Sequence, residues 1–181
     1  DEVHVNAYTE SKEAKVIEVG KVVNLDADGN PIEDETELNY IASDFNYGYM
    51  NYKPVMQPER QIFVITGFSE QGKEKSKTNG DLVIPKKVEI EENGEYVTKF
   101  VEGIDKEAFK DTALKSVEFP KTIGEYDFVI NASAFANAGL EEIIFNEGIK
   151  AIKEGAFTNN YLTEVYFPST TLTIGNNSFA H

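Results

Sequence analysis

The stretch Leu140-Glu-Glu-Ile143-Ile144-Phe145-Asn-Glu-Gly-Ile149-Lys-Ala-Ile152-Lys-Glu-Gly-Ala156-Phe157 decides the fold, because most of its apolar positions recur. Its opening, Leu-x-x-[Val/Ile]-x-Phe, appears again at Leu114/Val117/Phe119 and at Leu162/Val165/Phe167. Its ending recurs as Ala108-Phe109, Ala134-Phe135 and Ser178-Phe179, with the phenylalanines spaced 26, 22 and 22 residues apart. An isoleucine stands five residues before each of them, at Ile104, Ile130, Ile152 and Ile174. Proline closes two of the copies, at Pro120 and Pro168. Registered columns of this kind are the signature of a repeat architecture.

Strand geometry explains the period. Alternate residues of a strand point the same way, so Val117 and Phe119 share a face, as do Ile143 with Phe145 and Val165 with Phe167. One such strand has nowhere to bury that face; stacked copies do. Parallel strands of successive coils then lie about 4.8 Å apart. The Ala-Phe pair returns the chain on the opposite side, and the short spacing leaves room for turns or single helical turns rather than a full helix. The expected fold class is a β-rich α/β solenoid with mostly turns or short helical turns between coils, preceded by a small β-rich N-terminal module.

These columns resemble the BspA-like leucine-rich repeats of bacterial surface proteins, whose unit reads roughly L-x-x-[VI]-x-[IF]-P, then I-x-x-I-G-x-x-[AS]-F. The copy from Leu162 to Phe179, with Pro168 and Ile174-Gly175, follows it closely. The resemblance covers about residues 61–181, since Phe63-Val-Ile-Thr-Gly67 and Asp81-Leu-Val-Ile-Pro85 look like an entry segment. The cysteine often found after Ala-Phe in the family is replaced here by Thr112, Ala138 and Asn160. The copy holding Phe135 carries four extra residues, within Glu125–Ile130, expected to bulge from the stack.

The expected organisation is a β-rich module or cap over 1–60 and a leucine-rich repeat solenoid over 61–181, its entry segment at 61–100. Ser69 is placed to cap a short helix reaching Lys77. Val88 and Ile90, the Asn93-Gly94 turn and Tyr96-Val97-Thr98 read as a hairpin covering the open N-terminal end of the array. Further upstream a strand is expected at 15–25, a turn at 26–30 and a partner around 31–40.

Composition excludes several functions. The 181 residues carry a net charge of -15, a field that disfavours nucleic acid and anionic lipid surfaces. There is no cysteine for disulfides or thiol chemistry. No apolar run approaches the ~20 residues that span a bilayer. The opening Asp1-Glu2 reads as a chain processed from an exported precursor. Histidine occurs only at His4 and His181, too far apart in the chain to favour a catalytic pair. An enzyme is therefore not expected.

Two stretches invite a ligand reading. Asn24, Asp26, Asp28, Asn30 and Glu35 stand at the spacing of an EF-hand loop, with Gly29 sixth and Glu35 twelfth, so calcium is the one cofactor considered. Its alternative is a plain hairpin turn at Asp28-Gly29, no cofactor being needed. Tyr47 and Tyr49 sit in an aromatic cluster with Tyr40, Phe45 and Tyr52; such rings serve either as a contact surface or as packing between module and repeats.

The repeats supply a third surface. Residues between the buried strand positions, among them Lys115, Ser116, Glu118, Glu141, Glu142 and Glu164, should face solvent, and Ile144 and Tyr166 are the apolar members of that set. The resemblance implies an extracellular or cell-surface module binding a protein or glycan of a host or neighbouring cell. The alternative is a structural cap or spacer within a longer surface protein. A last strand expected at 163–168 would leave an edge through which two copies could pair as a homodimer.

Overall fold

A computed structural model describes residues 15–16, 22–25, 30–31, 40–54, 56–169 and 173–180. Successive repeats stack in register, and each early repeat contributes two short strands. The first ladder joins β5 (Asp81–Val83), β9 (Ser116–Glu118) and β11 (Glu142–Ile144), all parallel, with Leu82, Val117 and Ile143 opposite one another. The second joins β4 (Arg60–Phe68), β8 (Gly103–Ile104), β10 (Phe128–Ile130), β12 (Ile149–Ile152) and β13 (Thr173–Ile174), also parallel. Here Ile65, Ile104, Ile130, Ile152 and Ile174 lie opposite one another, so the isoleucine column is a strand column.

The Ala-Phe turns form a third run of bonds between repeats. Phe109, Phe135 and Phe157 each donate their amide to the residue before the next repeat's phenylalanine, at Ala134, Ala156 and Ser178, in each case at 2.7 Å. Reversing the chain there requires left-handed backbone on either side of the ring. Glu107, Ser133, Gly155 and Asn177 supply it two residues before the phenylalanine, and Asp111, Asn137 and Asn159 two after. Asparagine, aspartate and glycine tolerate that conformation best, which accounts for five of these seven.

Between the ladders and the turns lies a core of two ring columns. Phe109, Phe135, Phe157 and Phe179 stack with centroids 5.1, 5.3 and 5.4 Å apart. Phe119, Phe145 and Phe167 form a second stack at 5.7 and 5.8 Å, meeting the first edge-on. Offset and edge-to-face rings are the favoured arrangements of aromatic quadrupoles.

The first column continues towards the N-terminal side through Phe68, 4.8 Å from Phe109, then Phe45 and Tyr40. Phe45 opens β3 (Phe45–Tyr52) and Phe68 closes β4; the two strands pair antiparallel with these residues opposite each other, and the other edge of β3 pairs with β1 (Lys15–Val16). The residue 60 boundary thus falls inside a sheet shared by both sides. Helix α1 (Glu70–Ser76) follows β4, its first turn capped by Ser69, whose hydroxyl accepts from the Gly72 amide at 3.2 Å. Buried Asp44 ties the helix down, pairing with Lys75 at 2.5 Å and accepting from the Ile41 amide at 2.7 Å.

Several expectations are corrected. The described parts of the stretch 15–25 belong to different sheets: β1 joins β3, whereas β2 (Val22–Asn24) joins β6 (Lys87–Glu92). The hairpin of β6 and β7 (Glu95–Phe100) turns at Asn93-Gly94, both left-handed, as expected. Its Val88 and Ile90 are buried in the main core, and Tyr40, Phe45 and Phe68 extend the ring column at the N-terminal side. Of the expected bulge, Phe128 to Ile130 enter the ladder as β10. The preceding residues project, and Tyr126 packs on Phe100 and donates to the Lys86 carbonyl at 3.1 Å. Residues 163–168 do not form a strand. They are held instead by the Tyr161 amide donating to the Leu140 carbonyl at 2.8 Å and by Phe167 on Phe145. The expected homodimer rested on that strand.

Candidate binding surface

The first ladder presents its outward side to solvent in two rows. Val83, Glu118 and Ile144 are in register along one, and Asp81, Ser116 and Glu142 along the other. Val83 and Ile144 are 42% and 39% exposed. Tyr166, one repeat beyond Ile144, is 74% exposed and donates its hydroxyl to Glu164 at 2.8 Å. Ser116 donates to Asp81 at 2.8 Å, fixing the neighbouring row. Glu142, Ile144 and Tyr166 are exposed and Ser116 and Glu118 half-buried, so the outward side mixes apolar and aromatic side chains with carboxylates.

The tyrosine cluster is different. Tyr47, expected among the contact candidates, is 1% exposed: its ring stacks on Phe63 at 5.1 Å and its hydroxyl donates to the Ala42 carbonyl at 2.6 Å. Burial, then the carboxylate of Asp44, pushes its phenol far above the usual range. Tyr49 is partly buried, edge-on to Phe63, with its hydroxyl donating to Glu92 at 2.8 Å and the Lys99 ammonium 5.1 Å from its ring centre. Both rings join the N-terminal strands to the stack. Neither is the open contact surface allowed for from sequence.

For the proposed calcium loop, Asn24 pairs within β2 and Asn30 is exposed, while Asp26, Asp28 and Glu35 lie outside the described residues. Leu25 and Pro31 form an antiparallel bridge.

A second feature, not expected from the sequence, is a cavity of about 590 Å³ where β8, β10 and β12 run into the Ala-Phe turns. Asp105, Asn131 and Lys153 line it, each immediately following a core isoleucine, at 7%, 3% and 5% exposure. Burial lowers the Lys153 amine to about 8. The readable signal was this column's failure to repeat: aspartate, asparagine and lysine hold equivalent positions, followed by Gly175 in the next copy.

Residues 102–181 match the family model described as a BspA type leucine-rich repeat region, with 6 copies. They are a BspA-type leucine-rich repeat region. A leucine-rich repeat protein from Bacteroides capillosus ATCC 29799, known from its crystal structure, has the same kind of fold. It is 23% identical, with a TM-score of 0.52 over 71% of this chain and 83% of that one. No curated relative matches the chain. Among the described residues of this repeat protein, no helix is long and apolar enough to cross a membrane.

Proposed function

We propose that this repeat protein is a binding module, displayed at or outside a bacterial surface, that holds a partner protein on the outward side of β5, β9 and β11. The observation carrying this reading is the outward row of Val83, Glu118 and Ile144, continued by exposed Tyr166, in which a carboxylate stands between apolar and aromatic side chains. Repeat arrays commonly work through extended surfaces of this sort. Tyrosine at such a position offers large contact area with little conformational entropy to lose. The carboxylates select a partner whose own contact patch carries lysine or arginine. Adhesion to a host or neighbouring cell, rather than catalysis, is the role that fits.

The test is a binding screen of immobilised extracellular-matrix and cell-surface proteins, repeated with Ile144→Asp and Tyr166→Ala. Each substitution should weaken a captured partner at least tenfold while the circular dichroism spectrum stays unchanged. Binding insensitive to both would remove the strip from consideration.

A cap or spacer within a longer surface protein is the second reading. Repeat arrays need capping segments at their ends, a role that the ring column of Tyr40, Phe45 and Phe68 fits on the N-terminal side. A partner bound through the Ile144 strip would decide against it.

A further inference from the structure

The copy that holds Phe135 is the long one, its phenylalanine standing 26 residues after Phe109 where the next two intervals are 22. Phe128–Ile130 serve the ladder as β10, whereas residues 123–125 are exposed. The projecting loop borders two cavities that share Glu125, Tyr126 and Asp127. One, of about 630 Å³, reaches towards Arg60, Phe100 and Glu102; the other, of about 360 Å³, towards Gly148 and Lys150. Both fall within the roughly 300–1,000 Å³ usual for small-ligand sites. Together they make a groove along the loop.

The walls of the groove are fixed before any ligand arrives. The Tyr126 hydroxyl donates to the Lys86 carbonyl at 3.1 Å, and its ring lies 5.2 Å from that of Phe100, tilted by 46°. Lys86 pairs with Glu125. Arg60 pairs with Glu102 at 2.7 Å, and the other oxygen of that carboxylate accepts from the Phe63 amide at 3.2 Å. The Tyr52 hydroxyl lies 3.4 Å from an Asp127 oxygen. Side chains held in this way have little freedom left to lose on binding.

The chemistry of these walls narrows the ligand. With the Lys87 ammonium 5.9 Å from its ring centre, Phe100 is still 41% exposed, an aromatic surface outside the core. Around it stand three carboxylates, a guanidinium and the Gln57 amide. A cationic peptide would find Glu102 and Glu125 already paired with Arg60 and Lys86. A phosphorylated ligand would meet all three carboxylates on a chain of net charge -15. An uncharged, polyhydroxylated ring suits both kinds of lining. Its C–H face packs on the electron-rich face of an aromatic ring. Its hydroxyls donate to the carboxylates, which accept further bonds after one ion pair because each has about four lone-pair sites.

We propose that this groove binds an uncharged oligosaccharide, a sugar ring packing on Phe100 and Tyr126 while its hydroxyls donate to Glu102, Glu125 and Asp127 and accept from Arg60 and Gln57. This does not depend on a protein partner at the Ile144 strip.

The experiment is a titration of the 181-residue chain, followed by amide chemical shifts, with cellotriose, maltotriose and triacetylchitotriose as probes and trilysine for comparison. At least one of the saccharides should shift the amides of residues 100–102 and 123–127 in a saturable way, and trilysine should bind there at least tenfold more weakly. Phe100→Ala removes the ring surface and should lower affinity for that saccharide about tenfold. Asp127→Asn keeps the shape of the loop and should lower it by about the same factor, through weaker acceptance from the hydroxyls. Ile144→Asp, on the strip, should leave it unchanged. Absence of saturable shifts with all three saccharides, tighter binding of trilysine at these residues, or unchanged affinity in a folded Asp127→Asn would each overturn the proposal.

Discussion

Phe135 and Phe157 lie 5.3 Å apart with their ring planes 9° from parallel, and both are 0% exposed. Each ring is therefore floor for one repeat and ceiling for the next. Removing one opens a cavity that its neighbours cannot collapse into, because their own positions are set by the ladders on either side. Phe135→Ala should cost about 3–5 kcal/mol, a large share of the roughly 5–15 kcal/mol that holds a domain together. Phe167→Ala, at a column position 45% exposed, should cost far less. Urea unfolding of the two variants compares them directly; equal losses would contradict the stacking account.

Asn160 replaces the cysteine that the family often carries, and its bonds explain how. Its side-chain oxygen accepts from the Ala138 and Leu140 amides at 3.1 and 2.9 Å, and its amide donates to the Phe135 and Phe157 carbonyls, both at 2.9 Å. One buried side chain thus satisfies backbone groups from two successive repeats where the chain leaves the turn. Asn160→Ala strands them and should cost about 2–4 kcal/mol, several times the typical value for a single hydrogen bond. Asn160→Asp keeps the acceptor but sets a carboxylate against two carbonyls, so it should be at least as damaging at neutral pH. Thermal unfolding near pH 7 would reveal a milder effect if these bonds were incidental.

Where the fold was readable in sequence, a period or a local rule carried the information. The phenylalanine columns, the Leu-x-x-Val-x-Phe ladder, the Ser69 cap and the Asn93-Gly94 turn each depend on residues within one repeat or one turn. The second ladder was not seen because β8 and β13 are two residues long and β10 three, too short to show alternation. Tyr47 was ambiguous because an aromatic suits a contact surface and a core equally; only the pairing of β3 with β4, which sets it on Phe63, decides between them. The exposed strip followed from strand alternation alone. The cavity did not, because its members are 22–26 residues apart and a lone polar residue in a repeat reads as solvent-facing.

Gly148 and Gly94 both have left-handed backbone, φ 123° and 82°, yet substitution should separate them. A methyl group at Gly94 would meet nothing within 4 Å, so Gly94→Ala should cost only the backbone penalty, about 1–2 kcal/mol. At Gly148 it would lie 2.7 Å from the Ile123 amide nitrogen and 2.8 Å from the Thr122 carbonyl carbon, where the projecting loop crosses the next repeat. Gly148→Ala should therefore cost clearly more, by about 2 kcal/mol or above, and shift amide resonances of residues 121–127. Chemical denaturation with an amide spectrum of each variant tests both points. Matching losses would mean that this crossing is looser than described.

Lys153 gives the fold a pH dependence of its own. Its amine, lowered to about 8 by burial, ordinarily titrates at 10.5, so between those values the unfolded chain binds a proton that the folded chain has released. Stability contributed by this group is lowest below pH 8, where folding buries the charge, and rises until about 10.5. Above pH 10 the tyrosines act in the opposite direction. Burial, then the charges of Asp44 and Asp81, pushes Tyr40 up to about 12, so the unfolded chain ionises first and stability falls. Comparing Lys153→Met with the parent isolates the lysine from that background and from the overall negative charge. The variant should be the more stable at pH 7 by roughly 1–3 kcal/mol, and the difference should shrink steadily as pH rises from 8 to 10.5. A difference that stays constant across that window, measured by urea unfolding at each pH, would falsify the assignment of a depressed, buried amine to this site.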